Sequence, residues 1–472
     1  MHIYGKIFKD SKTIEEVKSF AKAYNIKDDK ELKDWFNIRT LLDEKQFKEV
    51  LKQFKMSREE FSTALMYSDL IKDSEPVETW EKLFIEILEN FENYTNDTSD
   101  FKYSMVNPFI GYAEKRLNIL INKTKNITIS KTVKEKMLHA IKTELFNISG
   151  KVLALDYNYF KSNNPDIQSS IFQHYIKNNF SSLNQWKEVF NKYPTLAKLI
   201  TKRLQFLLNF YKEVISRSDK DYLDIKKMLN IDTKTLKLKN INLSSGDSHN
   251  EGRTVCILEF DVGKIVYKPK NLEINKAIDE FLLWFTNYTN SIDIKFPKGI
   301  YKENYSYVEF VGFKELSNDK EIENFYFRYG YLIALTYIFN ITDIHLENLI
   351  AHGEYPVIVD IETSFQNNLP FQESLLVNLF KITDSNSVKA SGLLPQSLLI
   401  GEDDDNIDLG ALKGKQQKLN KKAIIPVGIN TDDFHYEKVG QVYGPSGENI
   451  PKNQYNEAVS YTHLRAHETP EH

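Results

Sequence analysis

The spacing of hydrophobic and polar positions divides the chain into two parts. Up to about residue 225, apolar side chains recur with helical spacing, as at positions i, i+3, i+4 and i+7 of residues 17–24. Comparable stripes run through residues 80–91, 134–145 and 196–215. Ser/Thr-x-x-Glu sequences beginning at Thr13 and Ser57 are typical of helix starts, because both side chains bind free backbone amides. We predict a mainly helical region over residues 1–225, which by itself indicates no chemistry.

Beyond residue 235 the pattern becomes that of short strands alternating with longer helices. β-branched, apolar runs at 254–260 and 264–267 flank a tight-turn signal at Asp261-Val-Gly263 and predict a hairpin. Further strands are predicted at 306–313, 349–351 and 357–359, helices at 271–287 and 319–340, and polar loops at 403–406 and 413–422. The pattern therefore predicts an α+β chain with a small antiparallel sheet after the helical region.

Composition and charge exclude several classes of protein. The chain has 472 residues, of which 41% are hydrophobic and 27% charged, with a formal net charge of −4. This apolar content excludes general disorder, and the near-neutral charge argues against a partner that is nucleic acid. No apolar run reaches the length of a membrane span, no signal peptide is recognisable, and the single cysteine Cys256 excludes a disulfide framework. We expect a cytoplasmic protein of roughly three compact units without an integral membrane segment.

The segment Thr342-Asp-Ile-His-Leu-Glu-Asn348, followed by Asp360-Ile-Glu362, contains the strongest chemical signal. Phosphoryl transfer from ATP needs a carboxylate at the attacking hydroxyl and oxygen ligands that hold Mg²⁺ against the phosphates. Asp343, Asn348 and Asp360 have the order and spacing for these tasks. The alternative is a capped loop in which Asp343 and Asn348 bind only their own backbone.

A strand lysine upstream of this loop is the second requirement of ATP-dependent phosphoryl transfer. Lys268 closes the strand at 264–267 and precedes Asp343 by 75 residues, whereas Lys270 lies beyond Pro269. We expect a carboxylate of the next helix to hold Lys268, and the candidates are Glu273, Asp279 and Glu280. Residues 308–311, with Glu309, lie where an adenine-binding hinge between two lobes is expected.

A third cluster, Gly246-Asp-Ser-His-Asn-Glu-Gly-Arg253, concentrates polar side chains before a strand. It lacks the Gly-Lys-Ser/Thr of a Walker A loop. Asp247, His249 and Arg253 are of the types that handle protons and phosphate. A plain polar turn is the alternative interpretation.

Together, GDSHNEGR (246–253), VYKPK (266–270), TDIHLENLI (342–350) and VIVDIET (357–363) resemble the dehydratase half of class II lanthipeptide synthetases, the LanM type. The resemblance is firmest over residues 244–365. It implies a bilobal core similar to lipid kinases, with a lobe at 235–315, a second lobe at 316–458 and an atypical tail at 459–472. It also implies phosphorylation of Ser and Thr in a precursor peptide with a leader sequence, followed by phosphate elimination.

The resemblance also implies roles for individual residues. Lys268 would contact the ATP phosphates, and Asp343 would orient or deprotonate the substrate hydroxyl with His345 supporting its loop. From their places in the polar turn and the expected hinge, we also expect Arg253 and Glu309 to bind ATP. Asn348, Asp360 and Glu362 would hold Mg²⁺. Asp247 and His249 match the pair that the family uses for elimination.

Two departures from the family pattern limit this expectation. We find no match for the Arg and Thr that complete the family's elimination site, and one cysteine cannot supply the Cys/Cys/His zinc site of its cyclase domain. We therefore expect an N-terminal piece of a longer synthetase, with a non-native or disordered tail that contains His463, His467 and His472. The alternatives are a stand-alone kinase acting on lipid or protein, and an inactive nucleotide- or peptide-binding fragment.

Overall fold

Helices make up most of the chain before residue 229, as predicted. The computed structural model describes residues 4–24, 32–33, 35, 43–71, 78–95, 100–243, 250–289, 293–361, 363–365, 387–395, 397–399, 406–408, 410–414, 417–443 and 447–459. The helices are α1 (Gly5–Asp10), α2 (Lys18–Tyr24), α3 (Glu44–Phe54), α4 (Arg58–Leu65), α5 (Tyr67–Leu70), α6 (Thr79–Glu89), α7 (Phe91–Tyr94), α8 (Asn107–Ile121), α9 (Lys131–Asn163), α10 (Ile171–Phe180), α11 (Leu183–Lys192), α12 (Pro194–Lys220), α13 (Tyr222–Met228), α14 (Glu273–Thr289) and α15 (Asp319–Ile338). Two 3₁₀ helices cover Phe101–Val106 and Val388–Ser391. In these ranges, no helix combines the length and apolar character required to cross a membrane.

Strands are short and lie mostly after residue 235. They are β1 (Ile127–Ile129), β2 (Leu236–Asn242), β3 (Cys256–Phe260), β4 (Gly263–Lys268), β5 (Gly299–Tyr301), β6 (Ser306–Glu309), β7 (Leu349–His352), β8 (Tyr355–Ile358), β9 (Ser397–Leu399), β10 (Asn406–Asp408), β11 (Gln417–Val427) and β12 (His435–Tyr443). One six-stranded sheet has the order β1-β2-β3-β4-β6-β5, and β7–β8, β9–β10 and β11–β12 form separate pairs. The chain is therefore of mixed α+β type, as predicted.

Both predicted caps are present in the described structure. At the start of α4, the Ser57 hydroxyl accepts the Glu60 N–H at 3.1 Å and the Glu60 carboxylate accepts the Ser57 N–H at 2.8 Å. The Glu16 carboxylate accepts the Thr13 N–H at 2.7 Å, but a turn separates this cap from α2, which begins at Lys18. These contacts satisfy backbone amides that have no partner within the helix.

The chain forms two compact units, of which the first comprises Met1–Thr124, Lys134–Ser216 and Pro426–Glu437. Its core is strongly aromatic. Phe190 packs edge to face against Phe84 and Phe109, with ring centroids 5.5 and 6.0 Å apart, and Trp186 lies 5.5 Å from Phe190. All four side chains are fully buried, so α6, α8 and α11 meet at this cluster.

Residues 426–437, at the turn between β11 and β12, pack within the first unit. The Asp432 carboxylate accepts the backbone N–H of Phe172 at 2.9 Å, in the first turn of α10, where an anion also benefits from the helix dipole. Phe434 is buried and packs edge to face against Phe172. Residues 426–437, which follow the helices by more than 200 positions in sequence, therefore complete the helical core of the first unit.

The second unit comprises Lys125–Val133, Arg217–Ile425 and Lys438–His472, and the six-stranded sheet lies in it. The predicted hairpin at 254–267 is present as β3 and β4, which pair antiparallel, and β4 also pairs with β6. In β2, buried Leu236 and Leu238 alternate with exposed Lys237 and Lys239, so one face of the strand packs on the core. The predicted strand at 306–313 is shorter, because β6 ends at Glu309.

Helices α14 and α15 pack with the β7–β8 hairpin in one hydrophobic cluster of the second unit. Phe325 and Leu332 of α15 and Leu349 of β7 are fully buried there, together with Leu282 of α14 and Ile358 of β8. This cluster fixes the two ends of the hairpin, which carry the predicted site residues.

The polar segment 413–422 differs from the loop that its composition predicts. β11 begins at Gln417 and pairs with β12, and Asn406 lies in β10 rather than in a loop. A two-stranded ribbon needs no fully apolar face. The absence of a hydrophobic pattern in residues 413–422 was therefore not sufficient to predict a loop. The predicted lobe boundaries at 235–315 and 316–458 stay a prediction.

Candidate functional site

Lys268 lies at the end of β4 and is almost fully buried. Ile265 and Tyr267 anchor the strand in the core, and only 6% of Lys268 is exposed. A buried ammonium group requires partners. Its Nζ lies 3.0 Å from Asp360 Oδ2 and donates a hydrogen bond to the Val359 carbonyl at 3.0 Å. The structure thus brings together two of the predicted residues that lie 92 positions apart.

The loop before β7 is rigidly anchored. Ile341, Ile344 and Leu346 are buried, whereas Asp343 is exposed and has a left-handed backbone with φ +63°. Such a conformation is costly for a non-glycine residue and is stabilised here by local contacts. The Asn348 side-chain amide donates a hydrogen bond to the Asp343 carbonyl at 2.9 Å, which closes the loop.

Asn348 connects this loop to the segment that carries Asp360. The Val359 N–H donates to the Asn348 carbonyl at 3.0 Å, directly beyond the paired strands β7 and β8. The next residue is Asp360, which is bound to Lys268. Asp343, Asn348, Asp360 and Lys268 therefore form one continuous set of contacts.

The donor set suits a hard cation that also binds phosphate. Asn348 uses its NH₂ group within the loop, which leaves the carbonyl oxygen Oδ1 as its ligand atom. Asp360 supplies one carboxylate that is one-fifth exposed. One or two carboxylates completed by substrate phosphates and water are typical of Mg²⁺ sites. Within the described ranges, no group of three or more His, Cys, Asp and Glu side chains is placed to hold a metal.

His345 contributes to the shape of the loop before β7. Its Nδ1 accepts the backbone N–H of Glu347 at 3.2 Å, so the neutral ring carries its proton on Nε2. Its backbone also forms an isolated antiparallel bridge with Gly410. The supporting role predicted for His345 stays a prediction.

Arg253 and Glu309 each form a hydrogen bond with a nearby backbone group. Arg253 is half-buried and donates to the carbonyl of Asn250, in a turn whose residues 250–252 all have positive φ. Glu309 is exposed at the end of β6 and accepts the Lys298 N–H at 3.4 Å. Their predicted contact with ATP stays a prediction. Asp247, His249, Glu362 and the histidines of the tail lie outside the described residues.

The predicted pairing of Lys268 with the following helix is not what the structure contains. Glu273, Asp279 and Glu280 on α14 are the carboxylates that the sequence favours, but Lys268 pairs with Asp360. Glu280 pairs instead with an exposed lysine of its own helix. Burial raises the pKa of Asp279 to about 6, and this residue faces the sheet edge at β5.

Lys270 is a residue of this region to which the motifs assign no role. It is half-buried, and burial together with the Lys268 ammonium lowers its pKa, while the Asp360 carboxylate acts in the opposite direction. In the sequence, Lys270 is the alternative to Lys268 as the strand lysine, and the structure places it after Pro269, outside β4.

Comparison with known proteins identifies the family. Residues 193–467, more than half of the chain, match the family described as a domain of unknown function, DUF4135. The chain belongs to this family. DUF4135 is the dehydratase-type domain of the LanM synthetases, so the predicted resemblance is confirmed.

Two curated proteins are similar in sequence to this DUF4135 protein. The lacticin 481/lactococcin biosynthesis protein LcnDR2 of Lactococcus lactis subsp. lactis is 29% identical over 324 residues, which cover 62% of this chain and 33% of that protein. Non-toxic nonhemagglutinin type A of Clostridium botulinum (strain Kyoto / Type A2) is 24% identical over 268 residues, which cover 48% of this chain and 22% of that protein. The chain thus spans at most about a third of the length of these relatives.

Proposed function

We propose that this chain dehydrates Ser and Thr residues of a ribosomally made precursor peptide, by ATP-dependent phosphorylation followed by phosphate elimination. Family membership and the similarity to a lacticin 481/lactococcin biosynthesis protein support the substrate class. The main support for the first step is the buried Lys268–Asp360 ion pair. Backbone and side-chain hydrogen bonds link this pair to Asn348 and to the loop that contains Asp343.

In the first step, the γ-phosphoryl group passes from ATP to the Oγ atom of a substrate Ser or Thr. Asp343, exposed on its anchored loop, would orient the hydroxyl and accept its proton, while the bond between the γ-phosphorus and the oxygen bridging to the β-phosphate breaks and ADP leaves. Lys268 would bind the phosphates, and Asn348 and Asp360 would hold Mg²⁺, with Glu362 as a further ligand. The metal would offset the negative charge of the phosphates. The lipid-kinase-like core predicted from the sequence is part of this proposal.

In the second step, the phosphopeptide loses its Cα proton and the bond between Cβ and Oγ breaks, which releases phosphate and leaves a dehydrated residue. The Cα proton of a peptide is a very weak acid, so a positioned base and a cationic group for the leaving phosphate are both required. We assign these tasks to Asp247 and His249 on the strength of the sequence motif, while Arg253 is proposed to contact ATP.

The test combines purified protein, Mg²⁺-ATP and a cognate precursor peptide, and follows the peptide by mass spectrometry. Loss of one water per modified residue is expected. Asp343→Ala and Asp360→Asn should stop all modification, whereas Glu280→Gln, an exposed carboxylate variant of the same unit, should leave it unchanged.

His249→Ala separates the two steps. The expected product is a peptide that has gained phosphoryl groups and lost no water. Phosphopeptide made by the unaltered protein, with no dehydration, would instead indicate a phosphotransferase alone. An unchanged peptide mass with its cognate enzyme would refute both steps.

A further inference from the structure

Aromatic side chains form a continuous stripe on the second unit that begins beside the Asp343 loop. Phe339 lies four residues before Asp343, and its carbonyl accepts the N–H of Phe365 at 2.8 Å. The centroids of these two rings are 5.4 Å apart. The Thr363 hydroxyl also donates a hydrogen bond to the Thr342 carbonyl. Both rings are therefore tied to the segments that carry the proposed catalytic residues.

The stripe continues along α14. Phe339 packs edge to face against Phe281, with ring centroids 5.0 Å apart. Phe281 in turn lies 5.7 Å from Trp284 and 6.0 Å from Phe285, and the Trp284 ring stacks on a fourth aromatic of this helix at 5.4 Å. The spacing i, i+3, i+4 and i+7 places the four on one side of α14. The aromatic stripe consists of Phe281, Trp284, Phe285, Tyr288, Phe339 and Phe365.

Much of the aromatic stripe is exposed to solvent. The exposed fraction is 57% for Trp284, 78% for Tyr288 and 57% for Phe365. Phe281 and Phe339 are half-buried and pack against the hydrophobic cluster of the second unit, so they hold their exposed neighbours in place. Contiguous exposed aromatic surface is typical of binding sites, in which Trp and Tyr provide much of the binding energy. The stripe is therefore a preformed apolar surface next to the proposed site.

Both the chemistry and the position of the aromatic stripe favour a peptide as its ligand. Residues 281–289 contain no charged side chain, which argues against nucleic acid or anionic lipid, because lysine and arginine bind those partners. From Phe281 to Tyr288 the helix rises about 10 Å, the length of about three residues of extended peptide. A peptide whose hydroxyl lies at Asp343 must cross the surface beside this loop, where the stripe begins.

We propose that the aromatic stripe binds the segment of the precursor peptide that flanks the reacting Ser or Thr, through the apolar side chains of that segment. This inference rests on the proposed function, because it places the peptide hydroxyl at Asp343. It assigns part of the affinity for the peptide to Trp284 and Tyr288, which take no part in phosphoryl transfer. Mutation should therefore separate peptide binding from the chemical step.

The experiment measures the rate of peptide modification by the full chain against the concentration of a cognate precursor peptide, at saturating Mg²⁺-ATP. Trp284→Ala and Tyr288→Ala should each raise the KM for the peptide by about 5- to 30-fold, the usual effect of losing an aromatic residue from a binding surface. The kcat and the KM for ATP should change little. Trp284→Phe should retain most of the affinity for the peptide.

Leu283→Ala is the matched control. Leu283 is 66% exposed on the same helix, but it lies about 160° around the helix axis from both Phe281 and Phe285. This variant should keep the KM of the unaltered protein for the peptide. Thermal melting of each variant establishes that it is folded.

Tryptophan fluorescence tests the contact independently of turnover. The other three tryptophans are fully or half buried, so quenching by acrylamide reports mainly on Trp284. The peptide should reduce quenching in the unaltered protein and have no such effect in Trp284→Phe. Weak quenching before peptide is added would mean that the chain itself or a second copy covers the stripe, and would refute the inference.

The outcomes distinguish this inference from the proposed function. If the unaltered protein modifies the peptide and both alanine variants keep its KM, the aromatic stripe is not a peptide site and the proposed function stands. An equal rise in the KM for ATP and for the peptide would reveal a structural role and also refute the inference. If the unaltered protein modifies no peptide, the proposed function fails together with this inference.

Discussion

Replacing Asp360 by Asn should destabilise the protein as well as inactivate it. Lys268 is 6% exposed, and after the change its ammonium group would retain only the Val359 carbonyl as a described partner. Breaking a fully buried ion pair costs about 3–5 kcal/mol. The Asp360 side chain is 21% exposed, so water offsets part of this cost and we expect about 2–3 kcal/mol. The loss corresponds to a fall in Tm of roughly 4–12 °C for a unit of this size.

A double-mutant cycle tests the origin of this loss. Lys268→Met should cost less than Asp360→Asn, because the carboxylate that remains is one-fifth exposed to water, whereas the lysine is almost fully buried. The double variant buries no unpaired charge, so its loss should be smaller than the sum of the two single losses. Calorimetric melting of the ligand-free protein measures all three. Additive losses, or an Asp360→Asn variant that melts like the unaltered protein, would contradict the buried ion pair.

Three further predictions concern other described residues. Asp343→Ala should abolish phosphorylation of the peptide yet shift the Tm by little, since the side chain is exposed; a large fall in Tm would contradict its placement. Burial raises the pKa of Asp279 to about 6, so the folded state binds more protons than the unfolded state between about pH 4 and 6 and loses stability as the pH rises. Asp279→Asn should therefore stabilise the protein by about 1–2 kcal/mol at pH 7 and by almost nothing at pH 4, measured as thermal melting against pH. Burial also raises the pKa of the Cys256 thiol, so this cysteine should react with a thiol reagent only after unfolding, and rapid labelling of the folded chain would refute its position.

Local patterns in the sequence were sufficient to predict the hairpins that carry the site. The β-branched runs around Asp261-Val-Gly263 correspond to β3 and β4, and the segment from 349 to 359 contains β7 and β8. In both cases the two strands are neighbours in sequence and joined by a short turn. The amino-acid pattern alone therefore places Lys268 and Asp360 at strand ends.

Long-range pairing could not be predicted in the same way. β1 has only three residues and pairs parallel with β2, whose partner residue Leu236 lies 109 positions after Ile127. A three-residue strand has no measurable period, and β5 was missed for the same reason. The ion-pair partner of Lys268 also depends on long-range packing. The sequence favoured carboxylates on the adjacent helix α14, but the partner in the structure is Asp360. The elimination residues Asp247 and His249 stay predictions from the motif.

The contact between Phe172 and Phe434 has a consequence for the order of events during synthesis. When α10 leaves the ribosome, the ring that covers Phe172 and the carboxylate that caps its amide are more than 250 codons from being translated. The aromatic surface around Phe172 therefore stays incompletely buried until most of the remaining polypeptide has been synthesised. A chain that stopped before residue 434 would leave this surface exposed to chaperones or to self-association.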